Sequence, residues 1–270
     1  MDKNKLKAAI ALVILMGGIG GYIYWQQSSH EPEVVVKAPP PPPIPVAPKA
    51  EVQQIIQPAP VAAPLPALAE SDSFVLDTLA GLIGNKSLMK LFHTEKIIRN
   101  IVVTIDNLPR RKLPLRLMPV QQAAGKFITA GSGDSLIISP KNAERYTPYM
   151  KVVDVFDAKK LVELYVRLYP LFQQAYVDIG YPKDYFNDRL LVVIDDLLDT
   201  PDVKEPVKLV QPKVFYEFAD PDLEDLSIGQ RTLIRIGSKN GTKMKARLRE
   251  IKQELKLHMQ DRKSRIQVEK

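Results

Sequence analysis

The chain has 270 residues, a net charge of +7, 23 prolines and no cysteine. Without cysteine there is no disulfide, no thiolate metal centre and no thiol nucleophile. The positive balance belongs to one end: residues 231–270 hold thirteen Lys and Arg against four Asp and Glu, a local +9, so the first 230 residues net −2.

Residues Ala8 to Trp25 are uncharged and mostly apolar, preceded by Lys3, Lys5 and Lys7 and closed by Tyr22, Tyr24 and Trp25. As a helix rising ~1.5 Å per residue they reach roughly 27 Å, the scale of a hydrocarbon core about 30 Å thick. The pattern predicts a transmembrane signal anchor over residues 8–25. The lysines precede it and no cation follows closely, so residues 1–7 are expected in the cytoplasm and the bulk of the chain on the far side of the membrane. A cleaved signal peptide would have a shorter core followed by a small-x-small site, whereas this core ends in bulky Tyr22-Ile23-Tyr24-Trp25. Gly17 and Gly21 have the GxxxG spacing that lets two such helices approach and dimerise, although a glycine-rich anchor with no partner fits them too.

Residues 26–69 read as a proline-rich, disordered linker. Twelve of the 23 prolines lie between His30 and Ala69, including the run Pro39 to Pro43. Proline lacks the backbone donor and fixes φ, so an extended polyproline II spacer is expected, about 3.1 Å per residue.

A mainly α domain, α+β with a small β-hairpin, is expected over residues 70–260, followed by a basic tail, 261–270. Ser71 or Asp72 is placed to cap a first helix carrying Phe74, Val75, Leu79, Leu82 and Ile83 and ending at Gly84-Asn85. A short second helix (Leu88, Leu91, Phe92) precedes a third with Ile97, Ile98, Ile101, Val102 and Ile105, broken by Asp106-Asn107-Leu108-Pro109. Lys126 to Thr129 and Leu136 to Ser139 flank a glycine-containing turn and predict the hairpin. Gly131-Ser132-Gly133 lacks the Lys-Ser/Thr pair of a phosphate cradle. Residues 207–218 look extended, with Pro206 and Pro212 limiting any strand there to an edge.

Residues 141–189 contain seven of the ten tyrosines and three of the eight phenylalanines. Asp157 can cap a helix in which Leu161, Tyr165, Leu168, Phe172 and Tyr176 form one stripe. Pro170 is expected to kink or divide it near Tyr169, and Gly180-Tyr181-Pro182 to stop it. A further helix is predicted from about Asp184 to Leu198. The last, about Thr242 to Gln260, has Met244, Leu248, Ile251, Leu255 and Met259 on one face and a basic surface of Lys243, Lys245, Arg247, Arg249, Lys252 and Lys256 on the rest.

Five segments carry a resemblance: Asp106-Asn107-Leu108-Pro109-Arg110, Arg145-Tyr146-Thr147-Pro148-Tyr149, Leu168-Tyr169-Pro170-Leu171-Phe172-Gln173-Gln174-Ala175-Tyr176, Gly180-Tyr181-Pro182 and Phe186-Asn187-Asp188-Arg189-Leu190. Together, over about residues 70 to 255, the chain resembles a bacterial family catalogued only as a domain of unknown function, whose members share the anchor, proline-rich stretch and domain. The resemblance implies an envelope protein of the Gram-negative type. It brings no activity, cofactor or catalytic residue.

No catalytic motif emerges from the residues themselves. The three histidines, His30, His93 and His258, offer no pair at metal-ligand spacing, and no Gly-x-Ser-x-Gly elbow accompanies His93, which reads as a helix-end residue or a partly buried hydrogen-bonder. Glu217, Asp220, Asp222, Glu224 and Asp225 have the density of a calcium loop without its glycine, and Asp220-Pro221 fits a helix cap better. No metal or cofactor is implied. A binding surface is easier to argue, with rings and donors from Arg145, Tyr146, Tyr149, Arg167, Tyr169, Gln173, Tyr181, Tyr185, Asn187 and Arg189. Core packing is the competing reading of the tyrosines, above all Tyr165 and Tyr176. The expected function is a membrane-tethered, non-catalytic periplasmic binding or scaffold module contacting an envelope protein or wall polymer. The alternative is a peptidoglycan-modifying enzyme with converging carboxylates such as Glu144, Glu163 and Glu217. Export argues against a nucleic-acid partner.

Overall fold

The structure is a computed structural model that describes residues 64–268. The anchor, its Gly17 and Gly21, and the linker up to residue 63 lie outside the described residues. Among the described residues no helix is long and apolar enough to cross a membrane.

A one-turn 3-10 segment, Leu68–Glu70, leads into helix α1, Ser71–Ile83, and a short α2, Lys86–Met89, capped by Asn85, whose side chain accepts from the Ser87 amide. Neither Ser71 nor Asp72 caps α1. The Ser71 hydroxyl donates back to the Leu68 carbonyl, and the Asp72 carboxylate reaches across to the amides of Lys96 and Ile97. Asp72 thus caps α3, Ile97–Asn107, from another helix, satisfying donors that the start of any helix leaves open.

Helix α4, Thr147–Val155, follows a 3-10 stretch, Pro140–Tyr146, and leads into α5, Ala158–Asp178. Asp157 caps α5 by accepting from the Lys160 amide at 2.9 Å. The expected stripe, Leu161, Tyr165, Leu168, Phe172 and Tyr176, is buried throughout. Pro170 does not divide this helix; it sits exposed inside one continuous element. Gly180, at φ +114°, ends it in a Schellman arrangement, with the Gly180 amide on the Val177 carbonyl and the Tyr181 amide on that of Tyr176.

Helix α6, Phe186–Leu198, packs beside α5. After a four-residue α7, Pro221–Glu224, and α8, Ile228–Arg235, the chain enters α9, Ser238–Val268. Helix α9 starts earlier than its apolar face suggests and runs on through residues expected to be a tail. Helix α5 lies at the centre against α3, α6 and α9, and one large core joins all four.

The β structure is small. Strands β1, Thr129–Ala130, and β2, Ile137–Ile138, form the expected antiparallel hairpin, Thr129 opposite Ile138. Strands β3, Leu209–Val210, and β4, Glu217–Phe218, form a second, Leu209 opposite Phe218. An antiparallel bridge between Ile137 and Lys208 links the two hairpins. The segment bounded by Pro206 and Pro212 is therefore paired on both sides rather than at an edge. Both prolines fall outside residues 207–210, which keep their backbone donors. Beneath lies a second core of Phe127, Val207, Leu209, Phe218 and Ile234, separate from the helical one.

Candidate functional site

Most residues expected to form the binding surface are engaged inside the fold. Tyr146, Tyr149, Tyr169 and Asn187 are buried. The Tyr149 hydroxyl donates to the Gln121 carbonyl, and Tyr169 donates to Gln173. Gln173 in turn donates to the Asp184 carbonyl and accepts from the Phe186 amide, fastening α5 to the start of α6. Arg145 grips the carbonyls of Ala123, Ala124 and Gly125 and the side chain of Asn142. Arg167 lies over the Phe74 ring at 5.4 Å, and Asn187 accepts from the Tyr165 hydroxyl. Burial raises the Tyr149 and Tyr176 hydroxyls to about 12 and lifts Tyr146 and Tyr165 as well, so all four rings stay neutral.

Asp106 gathers three of the family-like segments. Its side chain is 5% exposed and accepts from Arg189 Nε at 2.9 Å and from Arg110 at 2.8 Å. Arg110 also donates to the Tyr181 hydroxyl, whose ring stacks on Tyr176 with centroids 4.6 Å apart. Of the expected surface, Tyr181 and Tyr185 remain half-buried, Tyr185 preceding the first turn of α6.

The basic helix is likewise largely spoken for. Lys245 is not on the surface at all: it is 7% exposed and donates to the Thr200 carbonyl and Asp202. That contact holds the Asp202 carboxyl below its ordinary range. Lys243 pairs with Asp154, Arg247 with Glu250 and Lys252 with Asp195. Arg249 and Lys256 are exposed and make no ion pair among the described residues.

Carboxylates cap helices rather than gather round an ion. Asp220 accepts from the Asp222 amide at the start of α7, and Glu224 accepts from the Phe218 amide and pairs with Arg231. Among the described residues no group of three His, Cys, Asp or Glu is placed to hold a metal ion. His93 lies not at a helix end but in the loop between α2 and α3, half-buried, where its ring hydrogen-bonds Gln121.

The concave feature lies elsewhere, where the two cores meet. A cleft of about 810 Å³ opens between the 3-10 stretch after β2, α4, the loop before β3 and the start of α9. Met150 of the helical core and Ile138, Val207 and Ile234 of the β core make its floor. Asn142 and Asn240 brace its back wall: Asn142 donates to the Arg235 carbonyl, and Asn240 donates to those of Ala143 and Ile236. Its polar wall carries Lys151, Arg235, Lys239 and Lys243 with Glu144, Asp154 and Glu205, Arg235 being paired with Glu224 and lying over the Phe218 ring. Glu205 accepts from the Ser238 amide at 3.0 Å. Glu163 and Glu217 are not part of it. None of the surface set lines this cleft, and of the six residues expected as a basic surface only Lys243 does. No pattern along the chain marks the cleft, whose lining is drawn from separate stretches between residues 138 and 243.

Fold and cleft define a mainly helical α+β module built around one mixed-charge groove. The family model described as "Protein of unknown function (DUF3014)" matches residues 97–252, more than half of the chain, and the chain belongs to that family. No curated protein and no solved structure matches it.

Proposed function

We propose that the chain is a membrane-tethered, non-catalytic binding module on the periplasmic face of a bacterial inner membrane. In this reading residues 8–25 are the anchor, residues 26–69 the spacer, and the cleft between the two cores is the ligand seat. The observation that carries the reading is the cleft itself. Its volume lies within the ~300–1,000 Å³ common for ligand pockets, and it combines an apolar floor with a few polar groups at the rim. The test is in vivo photo-crosslinking from an amino-acid probe placed at Thr147, which lines the cleft, and at exposed Val192 on α6 as a control. The expected result is a defined adduct from Thr147 alone. Adducts from Val192 with none from Thr147 would remove the cleft as the seat.

One observation favours a second reading, a wall-modifying enzyme: the cleft brings together Glu144, Asp154 and Glu205. Glycan cleavage commonly needs two carboxylates about 5–10 Å apart in distinct protonation states. Here Asp154 is paired with Lys243 and Glu205 holds the Ser238 amide, leaving Glu144 alone. Clearing of a peptidoglycan gel by the full chain, abolished in Glu144→Gln, would put the enzyme in place of the module.

A further inference from the structure

We infer that the cleft takes a short peptide bearing both ammonium and carboxylate groups. This rests on the reading of the cleft as a ligand seat, and it follows from what the walls offer and lack. Among the described residues none of the lining side chains is aromatic, so the flat platform on which sugars stack is missing. A polyanion would meet three carboxylates on the same rim, and like charges brought into a partly dry groove cost free energy. A neutral lipid chain would strand the lysines against apolar matter without a counter-charge.

A zwitterionic peptide answers both signs. Lys151 on α4 and Lys239 on α9 are exposed and make no ion pair among the described residues, and both line the cleft. They are available to a ligand carboxylate. Glu144, also exposed and without an ion pair there, is available to an ammonium. Met150, an unbranched and adaptable side chain, also lines the cleft and suits varied apolar side chains. Lys243 and Asp154 already neutralise each other and Arg235 is paired with Glu224, so Lys151, Lys239 and Glu144 are left to present both signs to a ligand.

The absence of native cysteine provides the readout. In full-length protein in detergent micelles, Thr147→Cys gives a single site for an environment-sensitive fluorophore at the cleft. The probe is a pool of tetrapeptides with free termini, compared with the same pool acetylated and amidated. A saturable signal is expected from the free pool and at least about tenfold weaker binding from the blocked pool. Lys151→Ala with Lys239→Ala should weaken the free pool about tenfold, and Glu144→Gln about threefold. Equal binding of both pools, or no effect of the lysine pair, overturns the assignment of ligand class. A signal from chitobiose or polyphosphate with none from peptides overturns that class while leaving the cleft as a seat. Silence from every probe overturns both.

Discussion

Asp106 shows how much one carboxylate can organise. It is nearly enclosed, and it holds Arg189 from α6 and Arg110 from the turn after α3. Removing one member of such a pair strands the other charge in a poor solvent, at about 3–5 kcal/mol for fully buried cases. Asp106→Ala should therefore lower unfolding free energy by about 3 kcal/mol in urea denaturation. Arg110→Ala, whose side chain is 52% exposed, should cost less than about 1 kcal/mol. Asp196 illustrates the opposite sign. Burial raises its carboxyl above the ordinary 3.8, only partly offset by the Ser227 hydroxyl that donates to it. A raised carboxyl is a penalty fully present at neutral pH, which fades as pH falls through the raised value toward 3.8. Asp196→Asn, which can still accept from Ser227, should raise the thermal midpoint at pH 7, and its advantage over the native chain should shrink on acidification toward pH 4.

Among the elements, two glycines separate backbone strain from collision. Gly180 is at φ +114° with no atom within 4 Å of a would-be Cβ, whereas at Gly131, φ +74°, that Cβ would lie 2.2 Å from the Ser135 carbonyl oxygen. Gly180→Ala should cost about 1–2 kcal/mol from conformation alone. Gly131→Ala must open the β1–β2 turn and should cost more, about 3 kcal/mol, read as a difference in denaturant midpoints. The helices were legible because their apolar periods are strong, as on α5, and because Asp157, Asn85 and Gly180 act locally. What escaped was every interaction made at a distance. Asp72 looks like a cap for its own helix and caps α3, because a carboxylate on a packed helix can reach a neighbour's open amides. Residues 207–210 look like an edge because the prolines say nothing about what lies on either side. The tyrosines and arginines of the aromatic segment have the composition of a contact surface, but on α5 and its flanking loops they are oriented inward, where hydroxyls and guanidiniums meet stray carbonyls. The cleft was illegible for the same reason: its walls come from four stretches of chain that share no pattern.

For the whole molecule, the charge asymmetry of the sequence has a structural answer. Three cations of α9 meet acids of the preceding chain, Lys243 with Asp154 on α4, Lys245 with Asp202 and Lys252 with Asp195 on α6, while Lys239, Arg249 and Lys256 make no ion pair among the described residues. Paired charges at a half-exposed helix surface attract a polyanion weakly. A phosphatase fused after residue 60 tests the proposed topology: it should be active in cells, since the anchor would carry it out of the cytoplasm, and activity confined to a cytosolic reporter at that position would refute export. Of the five segments that carry the resemblance, only Thr147 borders the cleft. The others hold turns against helices through Asp106, Arg145 and Gln173. Those segments are thus carpentry rather than cargo, although the family match over residues 97–252 spans the whole lining of the cleft as well. A chain that shared only those five segments would share the joints of this frame, and its groove would have to be read from its own lining residues.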